Sequence, residues 1–190
     1  MAVATALAFL SATLAACGRA DVGSDTGTGT PSSGASMSSP RPTPTADETA
    51  GWATFSSSAS GYTIKFPATW VTPSSPDNQQ SFASENAGGP LGLSASGIWM
   101  YVLVTNSSAA DCLRTNVAGS EGIVTKVTVT VNGTSGTKYV FNDRDGFFDV
   151  IVNTWHGRCY DLFFATKSAA TRDSYGHVID LILGHFTFGP

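Results

Sequence analysis

Charge is what this chain has least of. Only 13% of its 190 residues are charged, and the net charge is -4. No broad basic surface is available to neutralise a phosphate backbone, which argues against nucleic acid as a partner. Cysteine and histidine are scarce as well, with three of each. No complete nucleophile–base or metal-ligand set emerges from their spacing, so neither catalysis nor a cofactor or metal is expected. Long apolar runs are missing too. Residues 1–16, "MAVATALAFLSATLAA", carry no charge, but they fall short of the roughly 20 residues a helix needs to cross the hydrocarbon core.

That run instead has the character of an export-signal h-region ending in small residues. Leu14-Ala15-Ala16-Cys17, followed by Gly18, resembles the lipobox of bacterial lipoproteins. The resemblance implies cleavage just before Cys17, a thioether-linked diacylglycerol on its sulfur, and a place on the extracytoplasmic face of the cell membrane. No Lys or Arg precedes the run, a departure that a start codon set too far downstream would explain. Residues 17–51 then lack large apolar side chains except Val22 and Met37. Such a segment cannot bury enough surface to offset its own ordering entropy. It reads as a tether with a reach on the order of 30 Å, stiffened toward polyproline II by "SSPRPTPT".

Residues 52–190 hold the aromatic and β-branched residues of a globular domain, long enough to bury about two thirds of its unfolded surface. In "IVTKVTVTV", Ile123, Thr125, Val127, Val129 and Val131 alternate with Lys126, Thr128 and Thr130, the period-2 pattern of a half-buried strand. "NGTSG" turns the chain at Asn132 to Gly136 and "TKYVF" continues as the next strand. "NDRDG" turns it again, and "FFDVIVNTW" and "RCYDLFFAT" form a hairpin about His156-Gly157. "GYTIKFPATW", closed by Pro67, and "GIWMYVLVT" are further strands. Short connections imply antiparallel pairing. Two helices are expected. One is "SSAADCLRTNV" from Ser107; the other is a single long C-terminal helix with Tyr175, Val178, Ile179 and Ile182 at i, i+3, i+4 and i+7, ended by Gly184. The class is α+β, layered around an antiparallel sheet.

"SGYTIKFPATW" resembles the opening signature of the Mog1/PsbP-like superfamily, an aromatic-rich strand ending in Pro with Trp shortly after. The Val/Thr strand ending in "NG", then "TKYVF", "VNTWHGRCYDLFFAT", a helix and a last "HFTF" follow in the same order. The resemblance covers most of residues 52–188. It implies an α/β/α sandwich with a central antiparallel sheet, found in extrinsic photosystem subunits, a nuclear-transport cofactor and many bacterial surface lipoproteins, where the shared theme is noncatalytic binding to other proteins.

Several patterns that hint at chemistry have plainer readings. Ser135-Gly136-Thr137-Lys138 spells Ser-x-x-Lys, but in a hairpin rather than at a helix start. "NDRDG" fails as an EF-hand because Val152 stands where the bidentate Glu is needed. Asn106-Ser107-Ser108 and Asn132-Gly133-Thr134 fit a glycosylation pattern that has no standing meaning in a bacterial lipoprotein. Asp173, His177 and Asp180 share one helix face, which suits either a His tuned by flanking carboxylates or an ordinary polar face. Trp155 and His156 sit at a hairpin tip, as an interface anchor or, for Trp155, as core. With Cys17 lipidated, Cys112 and Cys159 are left as an even pair suited to a disulfide, the alternative being two buried thiols. The function expected is a membrane-anchored binding or accessory module for a protein or envelope partner, with Trp155, His156, Asp173, His177 and Asp180 as its contact surface. The rivals are a carrier of small hydrophobic ligands, with a cavity between helix and sheet, and an envelope hydrolase using the Asp/His face.

Overall fold

The computed structural model describes residues 47–108, 110–112 and 123–189. Cys17 and the expected signal and tether up to residue 46 lie outside the described residues, as does most of the helix expected after Ser107. The described strands are β1 (Ala53–Ser57), β2 (Tyr62–Phe66), β3 (Gln79–Ala83), β4 (Ile98–Thr105), β5 (Ile123–Val131), β6 (Thr134–Asn142), β7 (Phe147–Trp155), β8 (Arg158–Thr166) and β9 (Thr187–Phe188). The helices are α1 (Ala169–Ser174) and α2 (Gly176–Gly184). None of these helices is long and apolar enough to cross a membrane. The fold is α+β: a six-stranded antiparallel sheet in the order β3-β4-β8-β7-β6-β5 and a three-stranded one in the order β1-β2-β9.

Strands β5 to β8 are a meander whose first and last turns, of two residues each, dictate the register of their hairpins. Asn132 and Gly133 have φ of 43° and 79°, and His156 and Gly157 have 48° and 76°. Two successive positive φ values make a type I′ turn, whose twist matches that of the strands it joins. Asn and His are among the few non-glycine residues that tolerate this region. The first turn is therefore only Asn132-Gly133, and "TSG" belongs to β6 rather than to the turn, because the I′ geometry brings Val131 opposite Thr134.

Alternation along the central strands gives the large sheet two buried faces. On the first, Ile98, Met100, Val102, Ile151, Tyr160, Leu162 and Phe164 pack against Tyr62, Ile64 and Phe66 of the small sheet and against Ile179, Ile182 and Leu183 of α2. Phe186 fills the centre, stacked on Tyr62 at 5.4 Å and edge-on to Tyr160 at 6.1 Å. Each such fully buried side chain contributes about 1.5–3 kcal/mol. On the second face, Trp99, Tyr139, Phe141, Phe148, Val150 and Val152 meet Leu93 and the Cys112–Cys159 disulfide. The expected bridge is thus present, with its Cα atoms 6.2 Å apart, within the ordinary range for a disulfide.

Three expectations are corrected. The Val/Thr strand is not half-buried: β5 is the sheet's edge, α2 covers only its Val131 end, and Val127 is 41% exposed. The C-terminal helix is not continuous. At Tyr175 the N–H is shared between the carbonyls of Thr171 and Arg172, a tightened turn that ends α1 before α2 begins at Gly176. Its apolar stripe is nevertheless the expected one, with Ile179 and Ile182 buried and Tyr175 and Val178 packed beside them. The fold also starts earlier than Trp52, because Thr49 is buried and accepts from Lys65 Nζ at 3.4 Å.

Candidate functional site

The β7–β8 hairpin tip is built by its own turn chemistry. His156 occupies the left-handed position, so its imidazole stacks back on Trp155 at 4.6 Å. Phe188 of β9 lies against the same indole at 5.6 Å, and the indole N–H donates to the Gly189 carbonyl at 3.1 Å. Trp155 is therefore half-buried: it packs against the core and pins the C-terminal strand while remaining at the tip. The core alternative for this residue thus holds in part.

Two adjoining hollows open at this end of the large sheet. One, of about 360 Å³, is walled by the Asn106 to Ser108 stretch after β4 and by Thr154, Trp155 and His156. The other, of about 280 Å³, shares Thr154 and runs between β6 and β7, past Ser135, Thr137 and Tyr139. It lies where the β6–β7 ladder stops, at Thr137 and Val152. Beyond that point Asn153 bridges the two strands, its side-chain amide donating to the Ser135 carbonyl at 3.2 Å. Hydroxyls and amides share the walls of both hollows with apolar side chains, Ala110 and Val152 in one and Trp155 in the other, and both lie at the sheet's end rather than between α2 and the sheet, where a hydrophobic-ligand cavity is expected.

The remaining candidates are dispersed. His177 meets Glu48 at 3.0 Å, while Asp173 meets Arg172 at 2.9 Å and Asp180 is exposed. The imidazole's carboxylate partner thus comes from the segment preceding β1, which helix spacing cannot reveal. Beside it, hydrogen bonds from the Thr49 hydroxyl and amide hold the Asp47 carboxyl below its ordinary range. Ser135 and Lys138 fall on opposite faces of β6, and Lys138 is taken by Asp149 at 2.6 Å. In "NDRDG" the Asp143 carboxylate accepts from the backbone N–H groups of Asp145 and Gly146, an ordinary Asx turn. No group of three or more His, Cys, Asp or Glu among the described residues is placed to hold a metal ion.

One residue that sequence reasoning missed stands out. Asp161 is fully buried on the second face of β8, between Leu103 of β4 and Val152 of β7. Among the described residues neither of its carboxylate oxygens has a hydrogen-bond partner. Burial alone pushes this carboxyl up to about 7. Tyr101, one step along the same face, is pushed up by its own burial and by the Asp161 charge.

No family model matches the chain, and no curated protein matches it in sequence. In three dimensions it is similar to the cyanobacterial PsbP (CyanoP) of Synechocystis sp. PCC 6803, at 14% identity and a TM-score of 0.49, over 72% of this chain and 92% of that one. It is also similar to the Ran-binding protein Mog1p of Saccharomyces cerevisiae, at 12% identity and a TM-score of 0.48, over 72% of this chain and 95% of that one. Both are of the kinds named by the sequence resemblance. At such identities and scores the likeness concerns the fold and says nothing of function.

Proposed function

We propose that the chain is a lipid-anchored, extracytoplasmic binding module that recognises a protein partner and catalyses nothing. The observation that carries this reading is the end of the large sheet beyond the last β6–β7 pair. There, a half-buried Trp155 held by a hydrogen bond stands beside two hollows lined by hydroxyls and amides. A rigid aromatic next to adaptable polar groups is the composition of a protein-contact surface, whereas general acid–base chemistry needs a titratable pair in mutual reach. The lipobox-like Leu14-Ala15-Ala16-Cys17 and the Ser/Thr/Gly/Pro-rich stretch after it support the anchor and the reach. Confinement near a membrane raises effective concentration, so a small surface of modest affinity is enough.

Two experiments test the two halves of the proposal. Cys17→Ser should leave the precursor uncleaved or release the protein from the membrane fraction, since stable anchoring takes two acyl chains at about 0.8 kcal/mol per buried CH₂. Unchanged processing and retention would remove the anchor from the proposal. For the surface, His156→Asn keeps a residue that accepts the left-handed turn, and Thr154→Arg fills the wall shared by the hollows. Together they should reduce crosslinking of the partner from the native membrane by about tenfold, roughly 1.4 kcal/mol, with the thermal midpoint unchanged. Full capture by the double variant would dismiss this end of the sheet as the binding surface.

A further inference from the structure

The free edge of the large sheet carries a second inference, independent of the anchor and of the partner. Strand β5 has nine residues and, among the described residues, pairs on one side only, with β6. Thr125, Lys126, Val127 and Thr128 are all exposed along it. Such an edge is usually blunted by brevity, by proline, or by charges along it. "IVTKVTVTV" has no proline and one charge. That charge is turned aside, with Lys126 Nζ lying over the ring of Tyr139 on its own sheet, 5.6 Å from the centroid.

The hairpin sets which backbone groups face outward. Residues flanking a two-residue turn exchange both hydrogen bonds, so Val131, Val129 and Val127 direct their N–H and C=O toward β6. Thr130, Thr128 and Lys126 direct theirs to the open edge. A second β5 approaching antiparallel must match outward residue to outward residue, which puts the two-fold axis on a residue of the strand, Val127 and Thr128 being the central choices. The axis at Val127, the midpoint of β5, gives the two strands their full overlap, whereas an axis at Thr128 leaves Ile123 and Val124 of each copy without partners. The Val127 axis sets Lys126 opposite Thr128 of the other copy and Thr125 opposite Val129. No like charges stand directly opposite each other, and the exposed valine pairs with itself at the closer, non-hydrogen-bonded spacing.

We propose that β5 is a self-association edge, on which two copies of this chain pair their β5 strands antiparallel about Val127 and continue the large sheet across a two-fold axis. The test uses the full chain in mild detergent. Sedimentation should show the protein mass rising with concentration from that of one chain toward that of two, and Val127→Lys, which sets two ammonium groups face to face, should keep it monomeric with an unchanged near-ultraviolet spectrum. In a Cys17→Ser background, Val127→Cys should form a disulfide-linked dimer under mild oxidation. Thr130→Cys should not, because its symmetry mate lies roughly 20 Å away. A monomer at every concentration, dimers indifferent to Val127→Lys, linkage through Thr128→Cys in preference to Val127→Cys, or a different protein's strand captured on β5 of a monomer would each overturn the proposal.

Discussion

Replacing Cys112 and Cys159 together by alanine should lower the unfolding free energy by about 4 kcal/mol, the chain-entropy value for a bridge with this sequence separation of 47. The loop closed by the bridge contains the whole of β5, β6 and β7, so its removal frees the unfolded chain over three of the four strands of the meander. For a domain of this size the corresponding loss in thermal midpoint is roughly 10–15 °C. Both half-cystines are buried, at 4% and 0% exposure, so reduction has to be carried out on the unfolded chain. Urea titration of the double variant, of the oxidised protein and of the protein reduced while unfolded provides the check. The reduced protein and the variant should share one midpoint well below that of the oxidised form. Three coincident midpoints would show that the bridge adds nothing beyond the packing around it.

Prediction and structure part company where tertiary context overrides local pattern. The hairpin strands β7 and β8 are legible because nine-residue apolar runs flank a His-Gly pair that only a tight turn accommodates. β5 is legible as a strand but not in its burial. Period-2 alternation reports two unlike faces, and an edge strand keeps that alternation even where nothing covers the apolar face. β1 and β3 escape notice for the opposite reason. "ATFSS" and "QQSFA" are too polar to look like strands, and they become strands by pairing in register with β2 and β4. The break at Tyr175 is invisible in a stripe that continues unbroken across it.

The candidate surface divides in the same way. Trp155 and His156 are found by their place at a turn, which is a local property. The hollows beside them are walled by residues of β6, of β7 and of the stretch after β4, which only the tertiary fold brings together, and no spacing encodes that. The helix-face cluster is the converse case. Asp173, His177 and Asp180 do share a face, yet the partners of Asp173 and His177 are Arg172 and Glu48. Helical spacing says which residues are neighbours on a surface, not which other segment lies over it.

Asp161 should make the protein less stable as pH rises, and by a large margin. Its carboxyl lies at about 7 in the folded state against an ordinary 3.8, so between these values the folded chain binds a proton that the unfolded chain has released. Stability therefore falls with rising pH across this window. Below it both states are protonated and the effect vanishes; above it the folded state carries a buried, unpartnered carboxylate. The difference of about three pK units corresponds to roughly 4 kcal/mol between pH 4 and pH 8. A charge in this position is costly because Leu103 and Val152 flank it and, among the described residues, no donor reaches either oxygen. Its place in the strand explains why it escapes a reading of "RCYDLFFAT". A lone charge in a period-2 pattern normally marks the wet face, and here that face is covered. Asp161→Asn, nearly isosteric and never charged, should flatten the dependence and be the more stable protein at pH 8. It should lose that advantage, or reverse it, at pH 4, where the wild-type acid is already neutral. Urea unfolding at a series of pH values on both proteins measures this directly. Parallel curves for the two would mean that Asp161 stays charged and solvated in the native state, contrary to its placement between β4 and β7.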